Sequence, residues 1–505
     1  MVDQAEVLSI DPRTGKVAEV VATESSPEEV AALCAAAAQA APELERLGRA
    51  ARVRMLRAMA AALEADRETI VGLADRETAL GAQRLNGELT RTRYQFELFA
   101  DAVEEGSYLE AVIDHPMDTP MGPRPDLRRM LMPLGPVAVF GAGNFPLAFS
   151  VPGGDTVAAL AAGCPVVVKA HPGHPATSQR CFEVMAAAAL EAGAPRGVLG
   201  LVHGQEAGAL LVTDPRIKAV GFTGSLRGGR ALFDLAAGRP DPIPFYGELG
   251  SVNPLVVTPR AADQRAGEIA EGIVGSFTMG QGQFCTKPGL VFLPEGESGE
   301  AVATAMAEAV SGRAAGTLLS QGIREGYLSR SAALSEATRV LAEGAAPGED
   351  GWQAPVLLLA TEARRLDAEV AEECFGPLTL VVTYQDEEEL MRALSALPGS
   401  LTGTVLSARE TEDATAQRAA ARLRDFCGRV VFNGFPTGVA VSAAMTHGGP
   451  WPATTDPLHT SVGLTSIRRF LRPVTWQNAP QEVLPEELRD GFTGVPRRVD
   501  GRSGS

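Results

Sequence analysis

The sequence predicts an α/β protein of more than one domain, built on parallel sheets. Three observations carry this reading. The 505 residues exceed what a single hydrophobic core usually organises. Beyond residue 136, short apolar runs alternate with helical stretches, as in βαβ units. Several of these runs end in glycine or polar turns, and ligands on such sheets sit at the carboxyl ends of the strands.

Residues 26–75 read as two amphipathic helices. Ser26-Pro27-Glu28-Glu29 supplies an N-cap, a proline at the first helical position and acids in the first turn. Residues 88–106 read as a further helix. Pro116, Pro120, Pro123 and Pro125 interrupt regular structure over 114–127, which predicts a loop or an extended arm. Val137-Ala138-Val139-Phe140 is the first buried strand and runs into Gly141-Ala142-Gly143-Asn144. A helix over 155–162, a strand over 165–169, a helix over 175–192 and strands over 198–202 and 219–222 follow. A second alternating set runs from about 248 to 435. Its strands include 255–257, 290–292, 378–382 and 430–432, and its helices 262–275 and 411–423. Residues 468–476 read as an exposed strand, and the polar stretch 479–505 as a peripheral tail.

A formal net charge of −17 disfavours a nucleic-acid backbone or an anionic membrane as partner. No apolar run reaches the length of a membrane span, and Met1–Glu6 lacks the basic and apolar pattern of a signal peptide. The six cysteines are scattered, with no CxxC pair and no His/Cys cluster. Neither a metal centre nor a disulfide framework is expected, and a reducing cytoplasm is the natural compartment.

One segment points to chemistry. Gly280-Gln281-Gly282-Gln283-Phe284-Cys285-Thr286 sets a cysteine among small and amide residues before an apolar strand, with Glu248-Leu249-Gly250 upstream. A thiol and a carboxylate so placed can form a thioester and hydrolyse it. A lone cysteine is more often a small buried hydrophobe, and Glu248 alone is equally a strand-end carboxylate. The surrounding motifs decide. They are Phe140-Gly141-Ala142-Gly143-Asn144-Phe145-Pro146, Val168-Lys169-Ala170-His171-Pro172, Phe222-Thr223-Gly224-Ser225 with Gly229, and Glu373-Cys374-Phe375-Gly376-Pro377.

In this order the motifs resemble the aldehyde dehydrogenase superfamily over nearly the whole chain. The segments Phe432–Val439 and His447-Gly448-Gly449-Pro450 resemble the branch holding α-ketoglutarate semialdehyde (2,5-dioxovalerate) dehydrogenases and an NADP-dependent fatty-aldehyde dehydrogenase. The resemblance implies a Rossmann-like cofactor domain over 1–114 and 134–247. It also implies a catalytic domain over 248–445 and a small β oligomerisation flap over 115–133 and 464–478. It makes Cys285 the nucleophile, Glu248 the base that activates water, and Asn144 an oxyanion donor. Lys169, Gly224, Ser225, Gly229, Leu249, Glu373 and Phe375 fall at cofactor-binding positions, with Glu373 on the nicotinamide ribose and Phe375 against the ring.

The cofactor is expected to be NADP or NAD. Pro172 stands where many NAD-preferring relatives carry an acid, which removes repulsion of a 2′-phosphate and favours NADP; His171 and Arg180 are candidate phosphate contacts. Phe145 and Phe284 are candidates to line the acyl tunnel, and Arg91 and Arg93 to meet an acid-ended substrate. The expected substrate is α-ketoglutarate semialdehyde, with medium-to-long aliphatic aldehydes as the alternative. The expected assembly is a homodimer, possibly a tetramer. Two readings from other classes stay open: a non-catalytic structural relative, and a cofactor-free thiol hydrolase. Gly143 departs from the tryptophan that many relatives carry before the asparagine. The lysine and glutamate that relay protons in other branches have no evident match.

Overall fold

The computed structural model describes residues 5–409, 413–436 and 438–504. A fully parallel five-stranded sheet lies under the first group of motifs. Its spatial order is Phe245–Glu248, Ala219–Thr223, Val137–Phe140, Val166–Lys169 and Leu199–Val202. The order reverses between Val137–Phe140 and Ala219–Thr223, so the crevice at their carboxyl ends is a topological switch point.

These strands are apolar throughout because helices cover both faces. Val137, Val139, Val166 and Val168 pack with Leu56, Met59, Phe96 and Leu160 on one face. Ala138, Phe140, Val167 and Val220 pack with Val30, Cys34 and Leu211 on the other. The expected helices are Pro27–Ala65, kinked at Gly48, then Arg67–Thr78 and Ala82–Glu105. Ser26 and Glu29 form the reciprocal cap that the sequence announces.

The second sheet has seven strands in the order Arg339–Glu343, Leu357–Glu362, Leu378–Tyr384, Leu290–Pro294, Pro254–Val257, Ser400–Leu406 and Cys427–Phe432. All neighbours are parallel except the first pair. The helices Pro259–Thr278 and Ala414–Leu423 correspond to the two expected here, and residues 411 and 412 of the second expectation lie outside the described residues.

The structure differs from the sequence reading at three places. Phe245–Glu248, where the sequence reading places no strand, is an edge of the first sheet, and Glu248 also bridges to Thr454. Only Leu471–Gln477 of the 464–478 segment is strand, because Leu464–Phe470 forms 3-10 turns that bury Ile467 and Phe470. The segment 479–505 is not merely peripheral. Leu484, Leu488 and Val495 are buried, and Arg497–Val499 pairs in parallel with Ala111–Asp114. With Leu127–Pro133 and Arg502–Gly504 these strands make a third, mixed sheet of five.

Candidate active site

The nucleophile turn is built by backbone geometry. Gly280, Gln281 and Gly282 all take positive φ (56°, 58° and 67°). A Cβ on Gly282 would lie 2.1 Å from the Gly376 carbonyl oxygen, so no other residue fits. The turn lifts Cys285 off the end of the helix Pro259–Thr278. Asn253 fixes it from below, donating from Nδ2 to the carbonyls of Cys285 (2.7 Å) and Lys287 (3.0 Å). Buried Lys287 donates to the Cys374 and Leu378 carbonyls, tying the turn to the Glu373-Cys374-Phe375 motif.

Around Cys285 three elements converge. Its Sγ is 3.4 Å from His447 Nε2, which is 2.8 Å from Glu248 Oε1. Ser461 donates its hydroxyl to Glu248 Oε2. Burial pushes the Glu248 carboxyl up, but the charge and hydrogen bond of His447, with Ser461, outweigh it and hold the group below the usual carboxylate range. The Cys285 thiol goes the other way. Loss of water, then the Glu248 carboxylate beside it, push it well above an ordinary thiol. Resting Cys285 is therefore protonated, and the His447 Nε2–H that touches it is given to the Glu248 carboxylate.

His447 and Ser461 are the residues that sequence reasoning missed. The His447-Gly448-Gly449-Pro450 motif was visible, but nothing in it shows that the ring reaches a cysteine 162 positions away. Ser461 carried no signal at all.

Asn144 follows the first strand of the parallel sheet. Its Nδ2 donates to the Gln283 carbonyl at 2.9 Å, which joins the two loops and leaves the second N–H of the amide for another acceptor. Buried Glu88 accepts the N–H groups of Leu147 and Ala148 and holds that loop. Arg84, also missed, donates to the Asn144 carbonyl at 2.6 Å and lies over the rings of Phe145 and Phe284. Gly143 has a physical reason to lack a side chain. A Cβ there would sit 2.6 Å from the His171 ring.

A cavity of about 140 Å³ opens on Cys285. Arg91, Phe145, Phe149, Phe284, Thr286, Gly438 and Val439 complete its lining. Three of the four expected substrate contacts thus come together. Arg93 does not. It is half-exposed and pairs with Glu64 at 3.6 Å, because it lies two residues from Arg91 and faces away from the cavity. Thr437, within the carboxyl-terminal motif, lies outside the described residues.

Of the expected cofactor positions, Lys169 ends the strand Val166–Lys169, Gly224, Ser225 and Gly229 follow Ala219–Thr223 at the switch point, and Leu249 follows Phe245–Glu248. Ser225 caps the helix Leu226–Ala237, accepting from the Gly228 N–H, while the N–H groups of Leu226 and Arg227 begin the helix. A helix start of this kind binds phosphate. The Gly224 N–H donates to the Glu248 main-chain carbonyl, which ties this helix start to the strand that carries Glu248. A Cβ on Gly229 would meet Leu249 Cδ2 at 2.2 Å, so helix and strand approach only with glycine there. A Cβ on Gly250 would lie 2.5 Å from Glu373 Oε2, which places the Glu373 carboxylate two residues beyond Glu248. Phe375 is half-buried beside it. These residues fit a nicotinamide dinucleotide.

Two candidates for a 2′-phosphate have partners within the chain. His171 is packed on Gly143 and stacked on His174, and burial keeps it neutral. Arg180 is spent on Asp66, with two bonds of 2.7 and 2.8 Å.

A nucleotide-binding parallel sheet, a thiol at a strained turn and a carboxylate between them define an NAD(P)-dependent aldehyde-oxidising enzyme. Residues 2–451 match the model described as "Aldehyde dehydrogenase family", and the chain belongs to that family. It is 45% identical over 467 residues to alpha-ketoglutaric semialdehyde dehydrogenase 2 of Azospirillum brasilense, spanning 90% of this chain and 89% of that protein. It is also 45% identical over 436 residues to alpha-ketoglutaric semialdehyde dehydrogenase of Acinetobacter baylyi, spanning 85% and 82%. Among solved structures, a 1-pyrroline-5-carboxylate dehydrogenase superposes with a TM-score of 0.80 at 24% identity, covering 94% of this chain and 90% of that one. PnpE in complex with nicotinamide adenine dinucleotide gives 0.80 at 22%, covering 94% and 95%. At these identities the structural likeness establishes the fold.

Proposed function

We propose that the chain oxidises α-ketoglutarate semialdehyde (2,5-dioxopentanoate) to the free acid, with Cys285 as nucleophile, Glu248 as hydrolytic base and Asn144 as oxyanion donor. The observation that carries this reading is the continuous contact from Cys285 through His447 to Glu248 beneath a cavity whose one charged lining residue, among those described, is Arg91. The names of the two relatives at 45% identity support the substrate.

The Cys285 proton leaves to solvent through the cavity as sulfur bonds the aldehyde carbon, since His447 Nε2 already gives its own proton to the Glu248 carboxylate. The new oxyanion accepts from the free N–H of Asn144 and the Cys285 backbone N–H. A nicotinamide dinucleotide held by Ser225, Gly229 and Glu373 would supply the acceptor for the aldehyde hydrogen and its two electrons, and Cys285 then carries the acyl group as a thioester. Glu248 then takes a proton from water, whose oxygen adds to the thioester carbon, and the carbon–sulfur bond breaks to free the acid. A base in this position favours hydrolysis over transfer to a second thiol.

Arg91 donates to the Val439 carbonyl at 3.3 Å and lies over the Phe149 ring, which keeps its guanidinium in the cavity. Arg91→Met is expected to lower kcat/KM for the acid-ended aldehyde by about 10²-fold, the cost of one charge-assisted hydrogen bond. The same change should leave a straight-chain alkanal of equal length within about threefold, read in steady-state assays with both substrates. The three phenylalanines of the wall support the second reading, a medium-to-long aliphatic aldehyde, and equal losses on both substrates would favour it.

We further propose that NADP is accepted at least as well as NAD. Pro172 is exposed and offers no carboxylate to repel a 2′-phosphate. A preference for NAD of about tenfold or more in kcat/KM would contradict this. Glu373 adds a pH signature. Burial raises its pKa to about 7, against the pull of Lys287 and the Ser251 N–H. The carboxylate, which accepts from ribose hydroxyls, forms as pH rises through 7. The KM for the nicotinamide is expected to fall over that interval, and the step should vanish in Glu373→Gln.

The third sheet ends on Leu471–Gln477, an edge strand whose backbone is open to pairing. We assign it, with 115–133, to the contact between copies in a homodimer, possibly a tetramer; a monomer in sedimentation at micromolar concentration would contradict this. No helix among the described residues is long and apolar enough to cross a membrane. The free cysteines support a reducing cytoplasm.

A further inference from the structure

The same three side chains form a donor set that the sequence hides. Cys285 Sγ, His447 Nε2 and a Glu248 carboxylate oxygen all lie within 4.8 Å of one another. Sulfur to nitrogen is 3.4 Å and nitrogen to Oε1 is 2.8 Å. A tetrahedral zinc centre, with Zn–S about 2.3 Å and Zn–N or Zn–O about 2.0–2.1 Å, spaces its donors about 3.4–3.6 Å apart. The sulfur–nitrogen edge already fits. The nitrogen–oxygen edge must open by roughly half an ångström, within the swing of a glutamate side chain.

The loops that carry the donors are fixed. Asn253 Nδ2 donates to the Cys285 main-chain carbonyl. The His447 backbone N–H donates to Thr460 Oγ1 at 2.8 Å. Ser461 holds the second oxygen of Glu248. The fourth direction faces the cavity that opens on Cys285, where a water or a carbonyl oxygen can stand. One sulfur, one imidazole and one carboxylate select zinc, cadmium or cobalt over magnesium or calcium, which require oxygen donors.

We infer that this centre binds one thiophilic divalent cation, zinc being the type, as a reversible inhibitor that competes with the aldehyde. On binding, the Cys285 S–H bond breaks and its proton leaves to solvent, the His447 proton moves from Nε2 to Nδ1, and sulfur, Nε2 and the Glu248 carboxylate each bond the metal; no electron moves. The coordinated sulfur gives electron density to the metal and the cation stands between it and the cavity, so the attack on the aldehyde carbon is blocked. The cation takes no part in turnover, and its removal restores activity.

The test uses the full chain dialysed against a chelator. Calorimetric titration with zinc chloride is expected to give one site per chain, with activity lost in step and recovered with EDTA. Magnesium chloride at the same concentration should do neither. Titration with cobalt chloride is expected to raise a sulfur-to-cobalt charge-transfer band that is absent in Cys285→Ala. His447→Ala and Glu248→Gln should each weaken zinc binding at least about tenfold. Unchanged zinc affinity in both variants, or a cobalt band that persists in Cys285→Ala, would overturn the inference. If His447→Ala fails to give the parent circular dichroism, Glu248→Gln, which preserves side-chain shape, decides alone.

Discussion

Glu248→Gln is expected to leave the enzyme carrying its acyl group after a single turnover. Electron transfer precedes the step that needs the carboxylate, so reduced nicotinamide should appear in a burst equal to the active sites. Steady-state release of acid should then fall by about 10²–10⁴-fold, the usual worth of a general base. Glutamine keeps the shape of the side chain and can still meet Ser461, so the fold is not the variable. Stopped-flow absorbance of the reduced nicotinamide reads both phases. A uniform slowing with no burst would mean that Glu248 acts before the thioester rather than after it.

His447→Ala should act on the same step through Glu248. The His447 Nε2–H donates to the Glu248 carboxylate at 2.8 Å and helps hold that buried carboxyl below the usual range. Without the imidazole, burial pushes the carboxyl up, and it is protonated over more of the working pH range. The burst is expected to persist, while steady-state release of acid falls by at least about tenfold at neutral pH and recovers as pH rises. Loss of the ring also strips buried Glu248 of its partner, so the melting temperature should fall as well. Single-turnover kinetics separate the effects. A first-turnover rate that drops with the steady state would mean that His447 serves the thiol and not Glu248.

Much of the architecture could be read from local pattern, because local pattern is what builds it. The doubly buried strands Val137–Phe140 and Val166–Lys169 are short β-branched runs, and the cap at Ser26 is written in four consecutive residues. Ser400–Leu406 was not found because its serine and threonines look like solvent-facing residues. They are buried, with Thr402 bonded to Asn253. Leu357–Glu362 is an apolar run too short to tell strand from helix. The site divided in the same way. Cys285, Glu248 and Asn144 sit in motifs that turn geometry imposes on the sequence around them. His447, Ser461 and Arg84 act by reaching across the fold, 199, 213 and 60 residues from the groups they hold. No spacing rule reports such a contact. Arg93 errs in the reverse direction. A periodic helix offers several charges, and only packing decides that Arg91 faces the cavity while Arg93 takes Glu64.

The covalent step is open to direct observation. Glu248→Gln, mixed with the aldehyde and a nicotinamide and quenched in acid, should yield on digestion one peptide heavier by the acyl group. Fragmentation should put the added mass on Cys285, with the five other cysteines unmodified. An unmodified Cys285 accompanied by a full burst of reduced nicotinamide, or the acyl mass on a different residue, would show that this sulfur does not carry the reaction.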